Sequence, residues 1–301
     1  MSPAADQVAG VKLTHPERVL YPDGGPNKLD LARYLEAAAK RILPFVARHP
    51  LSLVRCPDGI AKQCFFQKHP NPGMPDGIRE VTITENDGNR AAYLYIEDAA
   101  GLVGAAQISA LEFHVWGATI DDLELPDRLI FDLDPAETIG FDEVRAAARD
   151  IRDLLAAAKL PSFPLLTGGK GIHVIVPLAE KNDWAEVKSF AEAIARGLER
   201  SEPDRFVANA RKANRKGRIF IDWLRNERGA TAIAPYSPRA RTGAPVAMPV
   251  SWAELGKIKA ANAYDTKTAL RRIAGLKSDP WKGYAKRARI SKQTLAAALK
   301  S

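Results

Sequence analysis

The spacing of apolar and polar residues changes several times along the chain, and each change marks an element. Over residues 27–49, Leu31, Leu35, Ala38, Ile42 and Val46 recur every three to four positions, with Pro26 and Pro50 at the margins. That period predicts a helix with one buried face. Short runs at 51–55, 64–68, 81–85 and 92–96 read as strands, separated by turn formers such as Pro57-Asp58-Gly59 and Asn86-Asp87-Gly88. A helix over 99–110 and a strand over 111–116 complete a mixed α/β first half.

A second pattern begins near Pro126. A strand at 128–132 leads to a helix at 141–159, where Phe141, Val144, Ala148, Ile151, Leu155 and Ala158 align. Asp142 and Glu143 lie in its first turn, where the helix dipole favours anions. Strands at 163–166 and 172–177, a helix at 184–200 and a strand at 218–224 follow. The order β-α-β-β-α-β predicts a split βαβ sheet, antiparallel with helices on one face. The last 45 residues read as helical behind a Pro-rich stretch. The expectation is one catalytic domain over 1–301, with sub-modules at about 11–125 and 126–255 and a basic helical segment at 256–301.

Composition fits a globular chain: 301 residues, 46% apolar and 27% charged. No apolar run approaches the roughly 18 residues that span a bilayer. The first ten residues lack a basic and apolar leader, so no signal peptide is expected. Cys56 and Cys64 indicate neither a disulfide framework nor a zinc motif, which suits a reducing cytoplasm. Charge is uneven. Residues 205–241 hold ten Lys/Arg against two acids, residues 256–301 hold twelve against two, and the rest of the chain is net acidic. A basic C-terminal third suits a polyanion, either nucleic acid or nucleotide phosphates.

The chemistry concentrates in a few segments. In Leu129-Ile130-Phe131-Asp132-Leu133-Asp134-Pro135, two acids sit two residues apart in an apolar strand. Alternation puts both carboxylates on one face, where repulsion and burial oppose charging and a hard cation such as Mg²⁺ or Mn²⁺ resolves the conflict. Asp222, alone in the apolar 219–223 run, is a candidate third ligand, with a salt bridge to a nearby Arg as the alternative. Thr167-Gly168-Gly169-Lys170-Gly171 is either a phosphate loop or a hairpin turn, and His173 opens the strand after it. If their segment is extended, Arg239 and Arg241 point the same way and could clamp a phosphate. Lys212, Arg215, Lys216 and Arg218 could act similarly. In Phe65-Phe66-Gln67-Lys68-His69, a strand would turn one Phe inward and leave the other to stack on a base.

Together the segments LTHPERVLYP, LSLVRCPDGI, CFFQKH, LEFHVW, LIFDLDP, LTGGKGIHVIVPL, RKGRIFIDWLRN and TAIAPYSPRAR make the chain resemble the polymerase domain of bacterial DNA ligase D, of the archaeo-eukaryotic primase superfamily. The resemblance runs from about Val11 to Tyr284. It implies an α+β fold, with an N-terminal α/β module packed on an RRM-like catalytic sheet. It implies a nucleotidyltransferase that fills or extends DNA ends in non-homologous end joining, with two Mn²⁺ or Mg²⁺ ions held by Asp132, Asp134 and Asp222.

On the same pattern Thr167, Lys170, Arg239 and Arg241 contact the incoming triphosphate, His114 and His173 lie beside it, and Arg225 follows the third acid. Phe65 and Phe66 match aromatics near the template base. Lys12 or Lys28 is the candidate for a DNA 5′-phosphate pocket, and Lys68 and Arg215 are further DNA contacts. Implied partners are recessed or broken DNA ends, nucleoside triphosphates, the bacterial Ku end-binding protein and a ligase, in the nucleoid-containing cytoplasm and without a membrane. The Gly-rich loop departs from the family in starting with Thr where Ser is commoner. Cys56-Pro57-Asp58-Gly59 lacks the ligase Lys, and no histidine cluster marks a nuclease. The chain therefore reads as a stand-alone polymerase or an excised domain. Primer-independent priming, non-catalytic end binding and metal-dependent DNA cleavage are the alternatives.

Overall fold

The computed structural model describes residues 7–22 and 24–298, and the chain forms two compact units. The first takes in the described residues up to Trp116, then Thr231–Ala247 and Tyr264–Leu276; the second takes in Gly117–Ala230, Met248–Ala263 and the described residues from Lys277. The first boundary between the units lies at 116/117. The basic 256–301 stretch is no single segment, because it contributes to both units. Its helices are short, at Thr266–Gly275 and Lys292–Ala298.

In the first unit, the helix Lys28–Val46 starts from a capping box in which Asn27 and Asp30 satisfy each other's backbone N–H. The expected stripe is fully buried, with Leu31, Leu35, Ala38, Ile42 and Val46 all inside. An antiparallel sheet runs in the order Thr231–Ile233, Ala110–Trp116, Leu51–Arg55, Arg90–Tyr95, Arg79–Thr84, and Phe65–Gln67 pairs separately with Leu51–Arg55. The Arg55↔Phe65 register brings the next residues outward, Cys56 and Cys64, face to face. They form a disulfide, which corrects the reading of two unconnected cysteines.

The second unit has the sheet order Phe206–Val207, Ile219–Asp222, Arg128–Pro135, Ile172–Pro177, Phe163–Leu166, Met248–Pro249. Its four principal strands are antiparallel neighbours in the arrangement a split βαβ unit produces, and helices Phe141–Ala157 and Trp184–Ser201 pack on them. Leu129, Phe131 and Leu133 are wholly buried and alternate with Asp132 and Asp134, so the acids occupy the other face of the strand. No helix of the described residues is long and apolar enough to cross a membrane.

Candidate functional site

The second unit presents an acidic face built by strand register. Asp132 pairs across the ladder with Asp222 on one side and with His173 on the other. Cross-strand partners share a face, so the three side chains form one row. The expected strand over 218–224 ends at Asp222, because Leu224–Asn226 turns into a short 3-10 helix. Asn226, wholly buried, continues the ladder with its side chain: Oδ1 accepts from Ile130 N at 2.8 Å, and Nδ2 donates to Ile130 O at 2.7 Å and Trp223 O at 2.9 Å. That clip presents Arg225 to the row.

The Arg225 guanidinium bridges Asp132 (3.3 Å) and Asp222 (3.1 Å), while Arg215 donates to Asp134 at 3.0 Å and lies over the Phe220 ring. His173 Nε2 is 3.4 Å from Asp132 Oδ1. Burial opposes the charge on Asp132, but His173 and Arg225 together outweigh it and hold the carboxyl down at about 2. Asp134 and Asp222 are pushed above the usual carboxylate range, first by burial and then by the charge of Asp132, against the pull of the nearby arginines. Among the described residues no group of three or more His, Cys, Asp or Glu is disposed to hold a metal as it stands. Arg225 sits between Asp132 and Asp222 instead. The donor set nevertheless suits a hard divalent cation: three carboxylate oxygen donors on one face, two of them strained in the ionised state.

The Thr167–Gly171 segment is the turn of the hairpin joining Phe163–Leu166 to Ile172–Pro177. Thr167 Oγ1 donates to Gly171 O at 2.9 Å and accepts from Gly169 N at 3.3 Å. Gly168 has φ +69°, and a Cβ on Gly171 would lie 2.3 Å from Leu133 O. Lys170 is exposed, and its charge helps to hold down the Asp134 carboxyl. His173 is 3% exposed, and its Nδ1 is buried without a hydrogen-bond partner.

The first unit carries a second constellation around Glu112, a residue that sequence reasoning passed over. Glu112 is 5% exposed. Its Oε2 accepts from His114 Nε2 at 2.7 Å and lies 3.1 Å from Arg239 Nε, and its Oε1 accepts from Ala240 N at 2.8 Å. Burial again opposes its charge, but His114 and Arg239 bring the carboxyl down to about 2. The available signal was the i, i+2 spacing of Glu112 and His114 in a strand, which puts both on one face.

Arg239 is also fixed through its backbone, with Tyr21 donating to its carbonyl at 3.0 Å and its N–H donating to Pro245 O at 2.8 Å. The extended geometry that would align Arg239 and Arg241 is not present. The chain bends here, with Arg241 N donating to Arg239 O at 2.8 Å, and Arg241 is exposed.

Phe66 meets His114 edge-on at 5.4 Å, and Arg55 lies over Phe65. Both phenylalanines are exposed, Phe65 at 43% and Phe66 at 66%, so neither is the inward one expected. Their strand is three residues long, pairs with Leu51–Arg55 and lies off the main sheet path. Lys68 joins Glu85 (3.3 Å) and Tyr93 (3.1 Å).

Lys12 is exposed. Lys28 is 3% exposed and donates to Thr14 O (2.9 Å) and Gln107 O (3.0 Å). Its pKa is lowered by burial and then by Arg18, a neighbouring cation that the sequence reading did not single out.

Comparison with known proteins follows the same lines. A family model described as LigD, primase-polymerase domain, matches residues 27–281. The chain is 41% identical over 285 residues to the multifunctional non-homologous end joining protein LigD of Pseudomonas aeruginosa, covering 94% of this chain and 34% of that protein. It is 28% identical over 264 residues to the bifunctional non-homologous end joining protein LigD of Bacillus subtilis, covering 87% of this chain and 42% of that one. The chain therefore spans about a third of the first relative's length. Among solved structures, the polymerase domain from Mycobacterium tuberculosis ligase D in complex with DNA matches with a TM-score of 0.84 and 33% identity, covering 92% of this chain and 99% of that one.

Proposed function

The chain belongs to the LigD primase-polymerase domain family, and on that premise we propose that it extends the 3′ ends of broken DNA during non-homologous end joining. The observation that carries this reading is the in-register row Asp222, Asp132, His173, with Asp134 on the same strand face as Asp132. In the reaction a primer 3′-hydroxyl attacks the α-phosphate of a nucleoside triphosphate and pyrophosphate leaves.

Asp132, Asp134 and Asp222 would hold two divalent cations, Mn²⁺ or Mg²⁺. When bound, such ions lower the pKa of a hydroxyl and neutralise phosphate charge. Arg225, which spans Asp132 and Asp222, is the cation beside them that would face the nucleotide phosphates. Thr167, Lys170, Arg239 and Arg241 bind the triphosphate, and His114 and His173 orient it. Phe65 and Phe66 offer exposed rings for stacking on template bases. Lys12 or Lys28 is the candidate seat for a 5′-phosphate, and Arg18 acts electrostatically on Lys28. Lys68 and Arg215 contact the DNA. Ku and a ligase are the partners this role requires, and the nucleoid is its location.

Primer extension on recessed, 5′-phosphorylated DNA tests the reading, with Mn²⁺ or Mg²⁺ and either ribo- or deoxynucleoside triphosphates. Growth of the primer that stops with EDTA and in D132A is expected. Synthesis without any primer makes the protein a primase, shortening makes it a nuclease, and binding without incorporation makes it an end-binding module.

A further inference from the structure

Glu112 ties together two side chains that the proposed function places at the nucleotide. Its two oxygens take three contacts, from His114, Arg239 and the backbone of Ala240, and all three groups belong to the first unit. An ionised carboxylate can only accept. The proton on the 2.7 Å contact therefore resides on His114 Nε2, and the imidazole is excluded from the tautomer protonated at Nδ1 alone.

The same bond sets the plane of the ring that Phe66 meets at 5.4 Å and 71°. Arg239 is held by Glu112 at its side chain and by Tyr21 and Pro245 at its backbone, so its guanidinium is directed before any ligand arrives. A buried carboxylate between a histidine and an arginine is costly unless every lone pair is used. Here the contacts come from three different groups on two separate segments, and no single strand needs such an arrangement for packing.

We infer that Glu112 is a positioning residue for nucleotide binding, holding His114 in its Nε2-protonated form and aiming Arg239 at the incoming triphosphate. The inference rests on the proposed reading of those two residues as nucleotide contacts. Glu112 itself, buried and engaged by His114, Arg239 and Ala240, touches no substrate.

ATP incorporation by the full chain, with melting temperature measured in parallel, separates this role from a merely structural one. Glu112→Gln keeps the shape but offers one acceptor fewer and no charge. The KM for ATP is expected to rise by about tenfold to a hundredfold with kcat retained, the effect of losing a charge-assisted contact. The double variant E112Q/R239A is expected to raise KM by less than the product of the two single effects, because part of the Glu112 effect passes through Arg239. An unchanged KM in E112Q, or effects that simply add, overturns the inference.

If E112Q does not fold, E112D serves as the variant, and the wild-type protein gives an independent reading. In ¹⁵N-histidine spectra, assigned with H114Q, His114 must carry its proton on Nε2. A ring protonated only on Nδ1 overturns the inference. A wild-type chain that incorporates no ATP refutes the proposed function instead, while the histidine spectrum still decides the Glu112 contact.

Discussion

Asp222 stands directly across the strand ladder from Asp132, and one arginine, Arg225, spans both carboxylates at 3.1 and 3.3 Å. Asp222 is held above the normal carboxylate range, so its ionised form costs the fold stability at neutral pH. That penalty is full above the raised folded value and disappears as pH falls through the unfolded one. Asp222→Asn is therefore expected to melt at or slightly above the wild-type temperature while extension falls by at least about a hundredfold, the scale of losing a preorganised electrostatic contact. Adding Mn²⁺ should raise the melting temperature of the wild type and leave D222N nearly unmoved. A variant that is both destabilised and active contradicts the assignment.

Gly171 leaves no room for a side chain, since a Cβ would lie 2.3 Å from Leu133 O. Gly171→Ala must push the hairpin away from the Arg128–Pro135 strand. A loss of about 1–3 kcal/mol is expected in urea unfolding, the usual range for overpacking. Because the same hairpin carries Thr167, Lys170 and His173, extension should fall further than stability alone explains.

Asn226→Ala removes three hydrogen bonds to the backbone of Ile130 and Trp223 in a buried setting. Unsatisfied buried groups cost about 1–3 kcal/mol each, so a total of at least about 3 kcal/mol is expected. Arg225 loses its support in the same variant. A denaturation midpoint equal to that of the wild type would falsify this account of the clip.

Phe66 is 66% exposed, so Phe66→Ala should change stability by less than about 0.5 kcal/mol. Templated incorporation should weaken more than untemplated addition, since only the former presents a template base to the ring. Equal losses in the two assays would remove Phe66 from the template side.

Glu112 titrates from a folded value of about 2, below its ordinary 4.5. Its contribution to stability is present above the unfolded value and is lost as pH falls from about 4.5 towards 2. Thermal melts across that window should converge for wild type and E112Q at the acid end and diverge as pH rises. Parallel curves would show that the carboxylate does not carry the charge argued for it.

What the sequence determined by itself is local. The 3.6-residue period of Leu31 to Val46 and the alternation around Asp132 depend on neighbours in the chain, so the helix stripe and the shared face of Asp132 and Asp134 were legible there. The tertiary structure decided everything that depends on register between strands distant in sequence. Asp222 could have faced either side until its ladder with Arg128–Pro135 placed it opposite Asp132. The Arg55↔Phe65 pairing brought Cys56 to Cys64, and the fold packed no core against either Phe65 or Phe66, which are 43% and 66% exposed. Glu112 looked like any strand acid until the fold brought Arg239, 127 residues on, to meet it. A one-residue slip in any of these pairings would reverse the face of every side chain involved, and sequence periodicity carries no information on which register wins.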